Sequence, residues 1–187
     1  MKDPTAPEVK PIEPEPIVLV ANKTALLVLE LTDLCADPEY LAAPIIPGVT
    51  KLLEKARAAG VLVLFTEPPI FQGKPYGNVY SGFKRRPSEE VFVERGFDKF
   101  YSGQIPDLLG RHNIDTLILT GCKANMAILY TGTTAAVYHK YNIVIPVDGI
   151  AATTDYEKEY TLYQFRRYPD VYTQQFRFTT LEMISFQ

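Results

Sequence analysis

Residues 116–131 read TLILTGCKANMAILYT, a short apolar run, a glycine-led turn and the start of a helical pattern. Thr116 to Thr120 has the length and composition of a strand covered on both faces. Gly121 opens the turn, and the segment from Met126 to Tyr138 then keeps helical character. A strand–turn–helix unit aims the first N–H groups of its helix, and the positive end of the helix dipole, at the carboxyl edge of a sheet. Such a turn suits an anionic ligand or a developing oxyanion, and it would activate a cysteine placed in it.

Outward from this unit the chain keeps alternating. Ala25–Glu30 and Val61–Thr66 are continuous apolar runs, predicted as buried strands. Between them Val49, Leu52, Leu53 and Ala56 fall at i, i+3, i+4 and i+7 on one helix face, and Gly60 supplies the stop. Residues 67–90 carry Pro68, Pro69, Gly73, Pro75, Gly77, Gly82 and Pro87 and read as a long loop, a natural lid or interface element. Val91–Glu94, Ile143–Val147 and Gln175–Phe178 read as further strands, and Ile105–His112 and Asp155–Arg167 as helices. Thr154-x-x-Glu157 and Thr179-x-x-Glu182 both have the capping-box pattern that opens a helix. Six strands separated by helices predict an α/β fold, a three-layer doubly wound parallel sheet with right-handed crossovers. Residues 1–23 form an extended arm with Pro4, Pro7, Pro11, Pro14 and Pro16, and residues 24–187 form the α/β domain. The apolar run Ile17–Val20 at the end of the arm is expected to pack across a subunit boundary.

A chain of 187 residues with 47% apolar residues fits one globular domain. Net charge −3 excludes the basic face expected of a nucleic-acid binder, so no nucleic-acid partner is expected. No apolar run approaches a membrane span and the N-terminus has no apolar secretory core, so no membrane partner is expected. Cys35 and Cys122 are too few for a disulfide framework and fit a reducing, cytoplasmic location. His112 and His139 have no metal-ligand spacing; no metal and no cofactor are expected.

Gly121 to Thr131 resembles the isochorismatase-like (cysteine hydrolase) superfamily, whose members read Gly, small residues and then Cys-Val where this chain has Ala127-Ile128. The strand ending at Glu30 resembles the family's first strand, which ends in a catalytic aspartate. Val93–Phe100 resembles the stretch that carries the catalytic lysine, whose position falls on Glu94, with Arg95 the adjacent cation. Ile143–Gly149 and Phe178–Phe186 match the family's fifth strand and closing segment. The resemblance implies strand order 3-2-1-4-5-6, a ligand crevice where strands one and four diverge, a small-molecule ligand, and a homo-oligomer, dimer or tetramer. It also implies a non-proline cis peptide at Lys123–Ala124.

All three catalytic positions are then altered: Glu30, Glu94 and Ala127. Glu30 would be the general acid or base, with Asp33 its rival. If Glu30 and Glu94 face one another, they repel or draw a cation between them, with Arg95 and Lys99 able to neutralise the pocket. Lys123, Ala124 and Asn125 in the turn, with Arg95 and Glu67, are the candidate substrate contacts, while Thr131 and Asp148 are read as packing residues. Three functions compete: a hydrolase using carboxylate acid/base chemistry, a non-catalytic relative with a binding or assembly role, and a Glu30/Glu94/Glu67 cation site. Cys122 is read as filler beneath the turn and not as a substitute nucleophile.

Overall fold

The computed structural model describes residues 11–187. Nine strands and five α-helices follow in chain order: β1 (Ile17–Leu19), β2 (Thr24–Leu29), α1 (Ile46–Ala59), β3 (Leu62–Thr66), β4 (Glu90–Phe92), α2 (Gln104–Arg111), β5 (Thr116–Cys122), α3 (Leu129–Val137), β6 (Asn142–Pro146), β7 (Ile150–Ala151), α4 (Asp155–Arg167), α5 (Asp170–Thr173), β8 (Phe176–Thr179) and β9 (Ile184–Phe186). The main sheet runs β4-β3-β2-β5-β6-β8, every neighbour parallel, which is order 3-2-1-4-5-6 counted from the strand at Thr24. The short β7 pairs with the end of β5.

Alternation along the strands builds the three layers. Leu26, Val28, Val63, Phe65, Ile118 and Val144 face one side and pack with α1. Ala25, Leu27, Leu64, Leu117, Leu119 and Ile143 face the other and pack with residues of α2, α3 and α4. Helix α1 buries Ile46, Val49, Leu52, Leu53 and Ala56 and ends at Gly60 in the left-handed region (φ 77°), as its stop signal predicts. Each such aliphatic side chain removed from water contributes roughly 1.5–3 kcal/mol.

The capping box at Thr154 and Glu157 forms as predicted. Its counterpart at Thr179 does not open a helix. Thr179 ends β8, a turn follows, and Ile184–Phe186 forms β9. The register explains the difference: β9 has a partner in β1, and Ile184 is fully buried, so strand pairing outweighs a local capping signal. The apolar run of the arm is therefore used inside its own chain, with Ile17 and Leu19 in the core beside α1 and only Val18 and Val20 exposed.

The long loop between β3 and β4 is fastened at both ends. Glu67 Oε1 accepts from the Val79 N–H at 2.8 Å, Asp33 Oδ1 accepts from the Ser81 N–H at 2.7 Å, and the Tyr80 N–H donates to the Leu31 carbonyl. At the far end the Arg57 guanidinium grips the buried Glu89 carboxylate through Nε (2.7 Å) and Nη2 (2.8 Å). Burial works against the charged Glu89. The Arg57 hydrogen bonds, the Arg86 N–H and the neighbouring positive charges outweigh it and hold the carboxyl below its usual range. A depressed folded-state value means the stabilisation is complete above the ordinary glutamate value near ~4.3 and is lost as pH falls through the lowered one. Arg57→Met should cost about 3 kcal/mol at pH 7 in urea unfolding, and the gap from the unsubstituted protein should narrow as pH falls through the lowered Glu89 value, leaving the loss of the Arg57 bond to the Phe83 carbonyl. A gap that does not change with pH would contradict this account.

Candidate functional site

At the carboxyl edge of the sheet, Leu29 lies between Thr66 of β3 and Gly121 of β5. Gly121 sits at φ 129°, and a Cβ there would stand 2.0 Å from the Leu29 carbonyl oxygen, so only glycine allows the two strands to close this tightly. The next residue of β2's chain, Glu30, adopts φ 55°, a left-handed conformation uncommon for a side chain of this kind. Its N–H is held by both the carbonyl (3.1 Å) and the hydroxyl (3.2 Å) of Thr66. The strand thus ends in a sharp turn that leaves the Glu30 side chain at the crevice, 18% exposed.

What meets it there is Lys99. Its Nζ donates to Glu30 Oε1 at 2.5 Å and to the Gly96 carbonyl at 3.0 Å, and Lys99 is fully buried. The loop carrying it is fastened to α3 at two points. The Lys99 N–H donates to Thr131 Oγ1 at 3.0 Å, and Asp98 accepts from Thr134 Oγ1 at 2.8 Å. Thr131, read from sequence as a packing residue, is therefore a positioning residue for the lysine. Asp148 keeps the structural role expected of it, accepting from the Leu181 N–H at 2.8 Å.

The three carboxylates of the competing cation-site reading do not share partners. Glu94, 2% exposed, accepts from Ser102 Oγ, Glu67 is taken by the Val79 N–H, and Glu30 by Lys99. In place of a Glu30/Glu94/Glu67 cation site there are separate contacts, and a lysine supplies the positive charge beside Glu30. Arg95, the cation expected beside Glu94, is exposed. Asp33, the rival acid, serves the loop turn.

Ala127 has no accessible surface and lies in a π-helical turn, Ala124–Ile128, that leads into α3. Ala124 is likewise buried, and the Lys123 ammonium turns away to Thr153 Oγ1 at 2.9 Å. Asn125 Oδ1 is buried without a hydrogen-bond partner among the described residues. The non-proline cis peptide falls at Cys122–Lys123, one residue before the expected bond. Cys122 lies under the turn at 3% exposure, 3.6 Å from the Glu30 carbonyl and 3.8 Å from the Tyr40 hydroxyl. Burial pushes its thiol up to about 12, so it stays protonated and unreactive. Cys35 is raised to about 11 for the same reason.

Sequence periodicity did not single out Lys99, since it belongs to an irregular loop. The signal that named it, together with Arg95, as able to neutralise the pocket was chemical: a stretch whose expected lysine is a glutamate needs another cation nearby. Lys99→Met should cost about 3 kcal/mol by leaving Glu30 without its counterion. The double variant Lys99→Met/Glu30→Gln should recover more than ~1 kcal/mol of that in a urea double-mutant cycle. Additivity of the two substitutions would show that the pair carries no coupling.

The sequence matches the Isochorismatase domain over residues 24–175. The fold is similar to that of an isochorismatase family protein from Desulfovibrio vulgaris (22% identity, 86% of this chain and 95% of that one, TM-score 0.74). It is also similar to a cysteine hydrolase from Pseudomonas syringae (18%, 94% and 95%, 0.76) and to a nicotinamidase from Staphylococcus aureus (17%, 84% and 98%, 0.70). No curated protein matches the sequence. With a domain match spanning most of its length, and with a sheet of the order that the match implies, the chain belongs to the isochorismatase family.

Proposed function

We propose that this chain is a non-hydrolytic member of its family, one that keeps the fold for binding or assembly. The observation carrying this reading is the closed Lys99–Glu30 pair beside a turn whose central residue, Ala127, is inaccessible to water. Covalent amide cleavage needs a nucleophile with a base or a lowered pKa, and a methyl group offers neither. The two thiols, Cys35 and Cys122, are buried and protonated.

The alternative is carboxylate acid/base chemistry at Glu30. Its support is the 18% exposure of that side chain, an opening at the crevice. Against it stands the ammonium already occupying one carboxylate oxygen at 2.5 Å. A homo-oligomer belongs to the same proposal. Val18 and Val20, 57% and 47% exposed, offer apolar contacts to a second subunit, and light scattering tests it.

The purified protein should release no ammonia from a panel of small amides above a buffer blank and should hydrolyse no vinyl ether. Iodoacetamide at pH 8 should leave its intact mass unchanged until the chain is unfolded. Turnover abolished by Glu30→Gln would replace this reading with carboxylate catalysis, whereas an acyl adduct lost on Cys122→Ser would make Cys122 the nucleophile.

A further inference from the structure

A second concave site lies away from the buried pair, between the turn that starts α3 and the first two turns of α4. It is a cavity of about 280 Å³ lined by Asn125, Leu129, Tyr130, Tyr156, Glu157 and Tyr160. That volume is near the lower end of the range, about 300–1,000 Å³, in which small-molecule sites fall. Half of its lining residues are tyrosines. They come from two helices, and the rings of Tyr156 and Tyr160 lie 6.2 Å apart at 31°. Tyr130 is steadied by Phe97, 5.9 Å away at 31°.

The polar groups of the cavity are the Glu157 carboxylate, the Asn125 amide and three tyrosine hydroxyls. Glu157 Oε2 closes the capping box by taking the N–H groups of Thr153 (2.9 Å) and Thr154 (3.1 Å). These bonds take up the two N–H groups just before α4 and leave Oε1 with no hydrogen-bond partner among the described residues. No lysine or arginine lines the cavity, and Lys123 is held aside by Thr153. Three tyrosine rings and a carboxylate, with no cation among the described lining residues, form an environment that attracts positive charge.

We propose that this cavity binds a small quaternary or tertiary ammonium ligand, its cationic head against Tyr130, Tyr156 and Tyr160 and its charge balanced by Glu157. A methylated ammonium fits better than a bare one. It sheds water at little cost and spreads its charge over methyl groups that contact the rings. The site is separate from the Lys99–Glu30 pair, so it stands whether or not that pair is catalytic.

Choline and its neutral isostere 3,3-dimethyl-1-butanol separate charge recognition from mere apolar burial. Isothermal titration or ligand-observed NMR on the full chain should find choline bound at least tenfold more tightly than the isostere. Tyr160→Ala should weaken choline at least tenfold. Glu157→Gln, which keeps a capping-box side chain, should weaken choline while leaving the isostere unchanged. Circular dichroism melts identify any variant that fails to fold, and Tyr156→Phe, which keeps the ring, should then retain binding. Absence of choline binding, equal binding of the two compounds, or choline affinity unchanged in a folded Tyr160→Ala would each overturn the proposal.

Discussion

A lysine with no accessible surface has to be neutralised where it stands, and the whole crevice is arranged around that requirement. Lys99 reaches Glu30 only because Thr131 and the Asp98–Thr134 contact tie its loop to α3. An isolated ammonium in this position would be far too costly to bury, so the pair is a single unit and not two independent residues. The Glu30 carboxylate is correspondingly committed. The Glu30 carboxylate is the counterion of the lysine in that loop.

The same edge of the sheet carries backbone constraints that support this pairing. Glu30 is in the left-handed region, a conformation costing of order 1–3 kcal/mol for a residue with a side chain. It persists because Thr66 accepts its N–H twice and because β5 closes against Leu29 at Gly121, where no side chain fits. Strand pairing on both sides of β2 therefore holds a turn that local preference alone would not choose, and that turn sets the direction of the Glu30 side chain.

Members of one fold family differ in what stands at shared positions, and fold alone does not carry chemistry. The structural relatives here are 22% identical or less and share the architecture. In this chain Ala127, expected from the sequence at the nucleophile position, is a buried methyl group, and the positive charge comes from a loop lysine five residues beyond the expected one. The crevice holds a balanced charge pair beside a buried alanine.

Much of the architecture was legible in the chain because it rests on local pattern. Apolar runs of strand length, the i, i+3, i+4, i+7 face of α1, Gly60 and the Thr154/Glu157 capping box all report short-range physics, and all appear in the structure. Local pattern also misled once, at Thr179, where a capping signal lost to the pairing of β9 with β1, strands more than 160 residues apart in the chain. What the sequence by itself determined was the order of elements and the absence of a cysteine at Ala127. Which carboxylate meets which cation was decided by tertiary structure alone. The inward turn of Lys99, the diversion of Glu94 to Ser102 and of Glu67 to Val79 depend on contacts between separate elements. A buried charge takes the partner that geometry brings within hydrogen-bonding distance, and that distance exists only once the sheet and α3 have assembled.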